Sequence, residues 1–281
     1  MRVRRADGSV IACAAAGAPA AAPLLVCHGL ADSRLSVSGL AGLADDLGLR
    51  IVIPDRPGTG GTDLRHLRQL ADWTDDAALV LDAMGAGSAA LLGISGGGPF
   101  AAACAARLAG RVSSLSLISP LGALGWPNRG MAPGERASLA LARRMPAFGG
   151  WFLGGLAALA GRAPRLFLRV ATAELPAVDC AALHEPGIGG EFVAGYLEAF
   201  RRGSGGVAQD LRVLTRPWGF DLGSISAPTD VHHGGADNTV PPRHARLYAE
   251  AIPGARLHVH PQHGHFSILS AARQMLAPLA G

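Results

Sequence analysis

Charge is scarce in this sequence, and the little there is does not cluster. Asp, Glu, Lys and Arg make up 16% of the 281 residues, against 49% hydrophobic residues. That balance excludes a disordered chain and leaves enough apolar material for a full core. Aromatic residues are only 5% of the chain, and no basic run interleaves with them. The arginines fall in small dispersed groups: Arg2, Arg4 and Arg5, then Arg143 and Arg144, then Arg201 and Arg202. The net charge of +4 therefore reads as solvated surface, and nucleic acid is not expected as a partner. Cysteine is sparse too. Cys13, Cys27, Cys104 and Cys180 lack short metal-ligand spacing, and three of them sit in apolar segments. They read as buried free thiols of a reducing compartment, which points to the cytoplasm rather than to a secreted disulfide framework.

Long apolar runs are missing as well. No stretch reaches the ~18 uninterrupted apolar residues of a membrane span, and "GGWFLGGLAALAG" is too short to cross. The start, "MRVRR" before "VIACAAAGAPAAAPLLV", imitates a secretory signal. Asp7-Gly8 interrupts it, however, and Gly17, Pro19 and Pro23 break the apolar run. Two strands, near Ser9–Ala14 and Leu24–Cys27, are expected there instead.

What is present is an alternation. The short apolar runs "LLVC", "RIVIPD", "SAALLGIS" and "VSSLSLISP" are separated by segments of helical spacing, and the pattern returns at "APTDV" and "ARLHVHP". Strands apolar on both faces and alternating with helices predict an α/β fold with a mostly parallel central sheet and helices on both faces. Between Leu121 and Pro217 the alternation lapses into several helical stretches with Gly/Pro breaks. The expected organisation is a core of residues 1–120 and 218–281, interrupted by a helical cap, or lid, over 121–217.

Ser95 stands at the sharpest junction, in "LLGISGGGPF", between a buried strand and a helix. A nucleophile on such a turn needs a strained backbone, and side chains two residues away on either side would collide. Gly93 and Gly97 hold those positions, which makes the stretch a G-x-S-x-G elbow. A helix N-cap is the bland reading of the same serine. A serine hydroxyl needs a base, and the base needs an orienting carboxylate. "HGHF", between the last strand and the last helix, offers His263 and His265. "HHGGADNTVPP", after the preceding strand, offers Asp237. Asp221 is a second candidate acid, although it precedes that strand. Ser95, Asp237 and His265 stand in the Ser…Asp…His order of the elbow enzymes.

These motifs together resemble the α/β-hydrolase superfamily, in its lid-bearing esterase-like branch. His28-Gly29 is similar to the family's oxyanion loop, "DRPGTGGTD" to its D-x-P-G-x-G-x-S/T loop, "GISGGG" to its elbow, "APTDVHHGGADNTVP" to its acid segment and "HGHF" to its terminal Gly-His pair. The resemblance implies the α/β-hydrolase fold and a catalytic triad of Ser95, Asp237 and His265. It also implies an oxyanion hole from the backbone amides of Leu30 and Gly96, with His28 organising its loop. Asp230 and His232 depart from the apolar character expected of the strand before Asp237. An edge position or a polar contact would accommodate them. His258, His260, His263 and His265 are near-regularly spaced, but no cysteine or carboxylate lies near them in sequence, so neither a metal nor another cofactor is expected.

The expected activity is that of a serine hydrolase cleaving an ester or related acyl compound. The helical insertion, rich in Leu and Phe, favours a small-molecule substrate with an apolar group. Trp126, Trp151, Phe152, Trp218 and Phe266 are its candidate contacts, and Arg143, Arg144 and Arg169 are candidates for a carboxylate clamp. Two alternatives stay open. The same triad serves C–C bond hydrolysis, lyase or cofactor-free peroxidase chemistry, and some members of the fold bind ligand without turnover.

Overall fold

The chain folds around one eight-stranded sheet in a computed structural model that describes residues 1–35, 38–123 and 125–280. The strands are β1 (Arg2–Arg4), β2 (Val10–Ala16), β3 (Ala22–Cys27), β4 (Leu49–Pro54), β5 (Ala89–Ile94), β6 (Val112–Ile118), β7 (Thr229–Gly234) and β8 (Arg256–His260). They lie in the order β1-β2-β4-β3-β5-β6-β7-β8. β1 and β2 pair antiparallel, β2 pairs antiparallel with β4, and β3 to β8 form one parallel set. Parallel neighbours require crossovers, and here helices supply them, which covers both faces of the sheet.

The two faces can be read off single strands. Leu25 and Cys27 of β3 join Leu91, Leu117 and Val231 on one face, beneath the helices Thr74–Ala83, Gly98–Arg107 and Pro242–Ala251. Leu24 and Val26 join Ile51, Ile53, Leu92 and Ile118 on the other, against the helices Ala44–Leu47 and Ala272–Leu276. Each fully buried Leu, Ile or Val contributes about 1.5–3 kcal/mol relative to exposure. Cys13, Cys27 and Cys104 are buried, and all four cysteines are free thiols; burial pushes the Cys13 thiol up to about 12 and the Cys27 thiol to about 11. No helix of the described residues is long and apolar enough to cross a membrane.

The polar residues of β7 are explained by its partner rather than by an edge position, since β8 is the edge. Register places Asp230 beside Arg256 and His232 beside His258. Asp230 accepts from Arg256 at 2.8 and 2.6 Å and lies 2.6 Å from His258 Nε2. His232 stacks on His258 with ring centres 4.6 Å apart. Among the described residues no group of three or more His, Cys, Asp or Glu side chains is arranged to hold a metal ion.

Among the described residues six α-helices are inserted between β6 and β7: Pro133–Arg144, Pro146–Arg162, Pro164–Ala171, Ala177–His184, Pro186–Ala199 and Gly205–Leu214. Four of them open with a proline in the first turn, where its fixed φ suits the helix and its missing N–H costs nothing. Phe167, Tyr196, Val207 and Leu211 make a small core of their own, which also takes in Leu30 and Ala31 from the loop that leaves β3. The insertion therefore packs directly on a loop at the carboxyl edge of the sheet, where open α/β sheets bind ligands.

Candidate active site

Ser95 leaves β5 with φ +53°, a left-handed conformation that non-glycine residues rarely adopt. Among the described residues two other non-glycine residues share this feature, Ala31 after β3 and Ser119 after β6. All three follow adjacent strands, so the strain is concentrated along one edge of the sheet. The neighbouring glycines are required by space. A Cβ on Gly93 would stand 2.7 Å from Gly98 Cα, and one on Gly97 would run into the carbonyl oxygens of Cys27 and His28. The helix Gly98–Arg107 follows a single tight turn, Ser95–Gly97. Leu121 N, in the loop after β6, donates to Ser95 O at 3.0 Å and closes the elbow. The serine hydroxyl is consequently held up, half-buried, at the sheet edge.

Opposite it lies the loop after β8. His265 Nε2 is 2.9 Å from Ser95 Oγ, and His265 Nδ1 is 2.7 Å from Asp237 Oδ2. Asp237 sits in the turn after β7, where its Oδ1 accepts from Thr239 N at 2.9 Å and Val240 N at 2.8 Å. Both Asp237 and His265 are buried. Burial alone would pull the His265 imidazole down; attraction and hydrogen bonding from Asp237, with further help from Asp179 and Glu135, lift it above the ordinary histidine value instead. Burial would raise Asp237, but His265 and His233 hold it well below the usual carboxylate range. The three residues expected from sequence to act together are thus brought together. His263 is not among them: its ring stands 6.0 Å from His260, and the hydrogen bond to Ser95 Oγ is made by His265. Asp221 is exposed, and its carboxylate accepts from Gly223 N in its own turn.

The backbone opposite the hydroxyl is equally ordered. Leu30 N lies 2.9 Å from the position a Cβ would take on Gly96, so the loop after β3 and the elbow meet backbone to backbone. His28, fully buried, has its Nδ1 3.0 Å from Gly29 O. Burial and the neighbouring Arg56 hold His28 well below the ordinary histidine value, so it stays neutral.

The aromatic residues predicted to line a substrate site differ in their surroundings. Trp151 is 67% exposed and Phe152 47%, both on the outer side of the helix Pro146–Arg162. On its inner side Gly150 comes close against Ala208 of the helix Gly205–Leu214, and Leu153, Leu156 and Leu159 pack on the insertion's own core. Trp126 and Trp218 pack on each other, centroids 6.4 Å apart, and both pack on Tyr248. Phe266 does stand at the site: its ring is 5.2 Å from His265 and 5.3 Å from Phe192. Arg143, Arg144 and Arg169 are exposed.

Four further residues of the site are not singled out by the sequence reading, although Arg56 and His233 lie inside quoted motifs. His233, fully buried, lies 3.2 Å from Asp237 through Nε2, which also faces Val240 O at 2.9 Å. Arg56, 1% exposed, donates to His28 O and Gly29 O at 2.6 Å each and to Asp210 at 2.7 Å. Asp179 and Asp210 reach the site from inserted helices. Only His233 had a further sequence signal, its place four residues before Asp237.

A sequence model described as the alpha/beta hydrolase fold matches residues 22–272. No curated protein sequence matches the chain. Among solved structures, an esterase from a Rhodococcus species is similar at 24% identity and a TM-score of 0.68, covering 99% of this chain and 98% of its own. An esterase from Exiguobacterium antarcticum is similar at 19% identity and a TM-score of 0.71, covering 99% and 97%. The enol-lactonase from Burkholderia xenovorans is similar at 17% identity and a TM-score of 0.68, covering 97% of each chain. With the family match running across sheet, insertion and elbow alike, the chain belongs to the alpha/beta hydrolase fold family and is a hydrolase of it.

Proposed function

We propose that the protein is a serine hydrolase that cleaves an ester or related acyl compound bearing an apolar group, through a Ser95–His265–Asp237 triad and an acyl-enzyme. The observation that carries the reading is the unbroken relay from Ser95 Oγ to His265 Nε2 at 2.9 Å and from His265 Nδ1 to Asp237 Oδ2 at 2.7 Å. His265 takes the proton of Ser95 as the oxygen attacks the carbonyl carbon. Asp237 holds the ring in the Nδ1–H tautomer and stabilises the imidazolium that forms. The tetrahedral oxyanion lies between the amides of Gly96 and Leu30, and each such donor is worth about 10²–10³ in rate. Collapse expels the alcohol with the proton from His265. Water, deprotonated by the same histidine, then releases the acid and restores Ser95.

The inserted helices act as a cap over this centre. Phe266 and Phe192 give the acyl or alcohol group an apolar wall beside His265. The esterases and the enol-lactonase with similar structures cleave bonds of this class, which agrees with the reading. Fluorophosphonate labelling at Ser95, together with turnover of short p-nitrophenyl esters, is the test. A protein that neither labels nor hydrolyses any of these esters refutes it.

A further inference from the structure

Two buried carboxylates of the inserted helices have no part in that chemistry, yet each ends on one of its loops. Asp179, on the helix Ala177–His184, is fully buried. Its Oδ2 accepts from His265 N at 2.7 Å. Its Oδ1 accepts from Phe266 N at 3.1 Å, Ser267 N at 2.9 Å and Ser267 Oγ at 2.8 Å. Ser267 Oγ in turn accepts from Gly264 N at 2.8 Å. One carboxylate thus gathers the amides of three consecutive residues, the first of them His265. Gly264 is required for this approach, because a Cβ there would enter the carboxylate.

Asp210, on the helix Gly205–Leu214, is 1% exposed and accepts from Arg56 Nε at 2.7 Å. The other two guanidinium nitrogens hold His28 O and Gly29 O. Gly29 C=O and Leu30 N–H belong to the same planar trans peptide and point in opposite directions. Fixing the Gly29 oxygen on Arg56 therefore aims the Leu30 N–H the other way, toward Gly96 and the elbow. A guanidinium at this place is locked, since Arg56 also lies over the Phe100 ring at 4.6 Å.

We propose that Asp179 and Asp210 are positioning residues: the first holds the histidine loop, and the second, through Arg56, sets the Leu30 amide, so that the centre is assembled only when the inserted helices are docked. This rests on the serine-hydrolase reading. In this arrangement the cap is part of the catalytic apparatus, not a flap over a finished one. Lifting either helix frees the base or the oxyanion donor from its anchor.

The experiment compares wild type with Asp179→Asn and Asp210→Asn on a short p-nitrophenyl ester, with fluorophosphonate labelling and thermal melting alongside. Displacing a reacting group by about 1 Å can cost 10²-fold. Asp179→Asn puts an amide donor against the amides that Asp179 receives, and a fall of about 10²-fold in kcat is expected with KM little changed. It also removes one of the negative charges facing His265, leaving Asp237 and Glu135, so the acid limb of kcat/KM moves to lower pH. Asp210→Asn keeps an acceptor for Arg56 Nε but not the charge. There kcat and the labelling rate are expected to fall together by about 10-fold, with the acid limb unmoved. If Asp179→Asn does not fold, Ser267→Ala removes one bond to Asp179 and the bridge to Gly264, and kcat is expected to fall several-fold at unchanged KM. An Asp179→Asn protein with wild-type kcat, or with lowered kcat but an unmoved acid limb, overturns the first half. Unchanged kcat and labelling in Asp210→Asn overturn the second. Wild type that does not label at all refutes the underlying reading instead.

Discussion

Replacing Asp237 by Asn changes one oxygen to nitrogen, and the structure decides which one. Asp237 Oδ1 accepts two backbone amides, from Thr239 and Val240, at 2.9 and 2.8 Å. Neither amide can face an NH₂, so the Asn oxygen must take the Oδ1 place. The NH₂ is then forced into the Oδ2 place, 2.7 Å from His265 Nδ1. It donates to that nitrogen and selects the Nε2–H tautomer. His265 then offers Ser95 a proton instead of a lone pair, and the base is lost without any change of shape. The expected fall in kcat is on the order of 10⁴, or about 5 kcal/mol of barrier at 1.36 kcal/mol per decade. A second effect is smaller. His233 Nε2 must carry a hydrogen to bond Val240 O at 2.9 Å, so it too meets a donor where Oδ2 had been. That contact costs stability on the order of 1–3 kcal/mol, since a buried donor loses half of a shared acceptor set. The assay is kcat on a p-nitrophenyl ester from pH 6 to 9, with the melting temperature as control. Asp221→Asn, in an exposed turn, serves as the reference and is expected to behave as wild type. An Asp237→Asn enzyme within about tenfold of wild-type kcat contradicts the tautomer argument. If Asp221→Asn is inactive at the same time, the acid is Asp221.

Ser95→Ala and His265→Ala should each lower kcat by roughly 10⁴–10⁶ at near-native stability, whereas His263→Ala should stay within a few-fold; steady-state kinetics on the three proteins decides between the histidines. The pH profile follows from the raised His265: the ring must be neutral to accept a proton, so kcat/KM should rise through one ionisation above the ordinary ~6.5 and be flat beyond it. Activity that falls between pH 6 and 8 is incompatible with a histidine base. Gly97→Ala should cost the fold itself, because the added methyl enters the carbonyls of Cys27 and His28; a soluble, fully active variant would contradict the elbow geometry. Trp151→Ala should leave kcat and KM near wild type, since its ring is exposed on the outer side of its helix; a large rise in KM would return it to the substrate site.

Local chemistry made much of this legible before folding. The apolar runs of β3 to β6 need helices between them because parallel strands cannot be joined by tight turns, so the sheet and its two covered faces follow from the order of residues. Ser95 between Gly93 and Gly97 declares its own turn, since the steric demands of the elbow act within five residues. The proposed acid and base, Asp237 and His265, are each readable from the loops that follow β7 and β8. What the sequence could not show is whatever depends on faces and on distance along the chain. Asp179 meets His265 across 86 positions and Asp210 meets Arg56 across 154, and nothing in the spacing of either pair records the contact. The direction of Trp151 and Phe152 depends on the other side of the same helix, where Gly149 and Gly150 come close to Leu211 and Ala208 and three leucines pack on the insertion's core. Asp230 and His232 became intelligible only once register set Arg256 and His258 beside them. The sequence determines which groups are available and the turns that lift them. Only the packing of one helix against a loop 86 residues away decides which carboxylate holds the histidine in place, because that contact is made by side chains whose separation exists only in three dimensions.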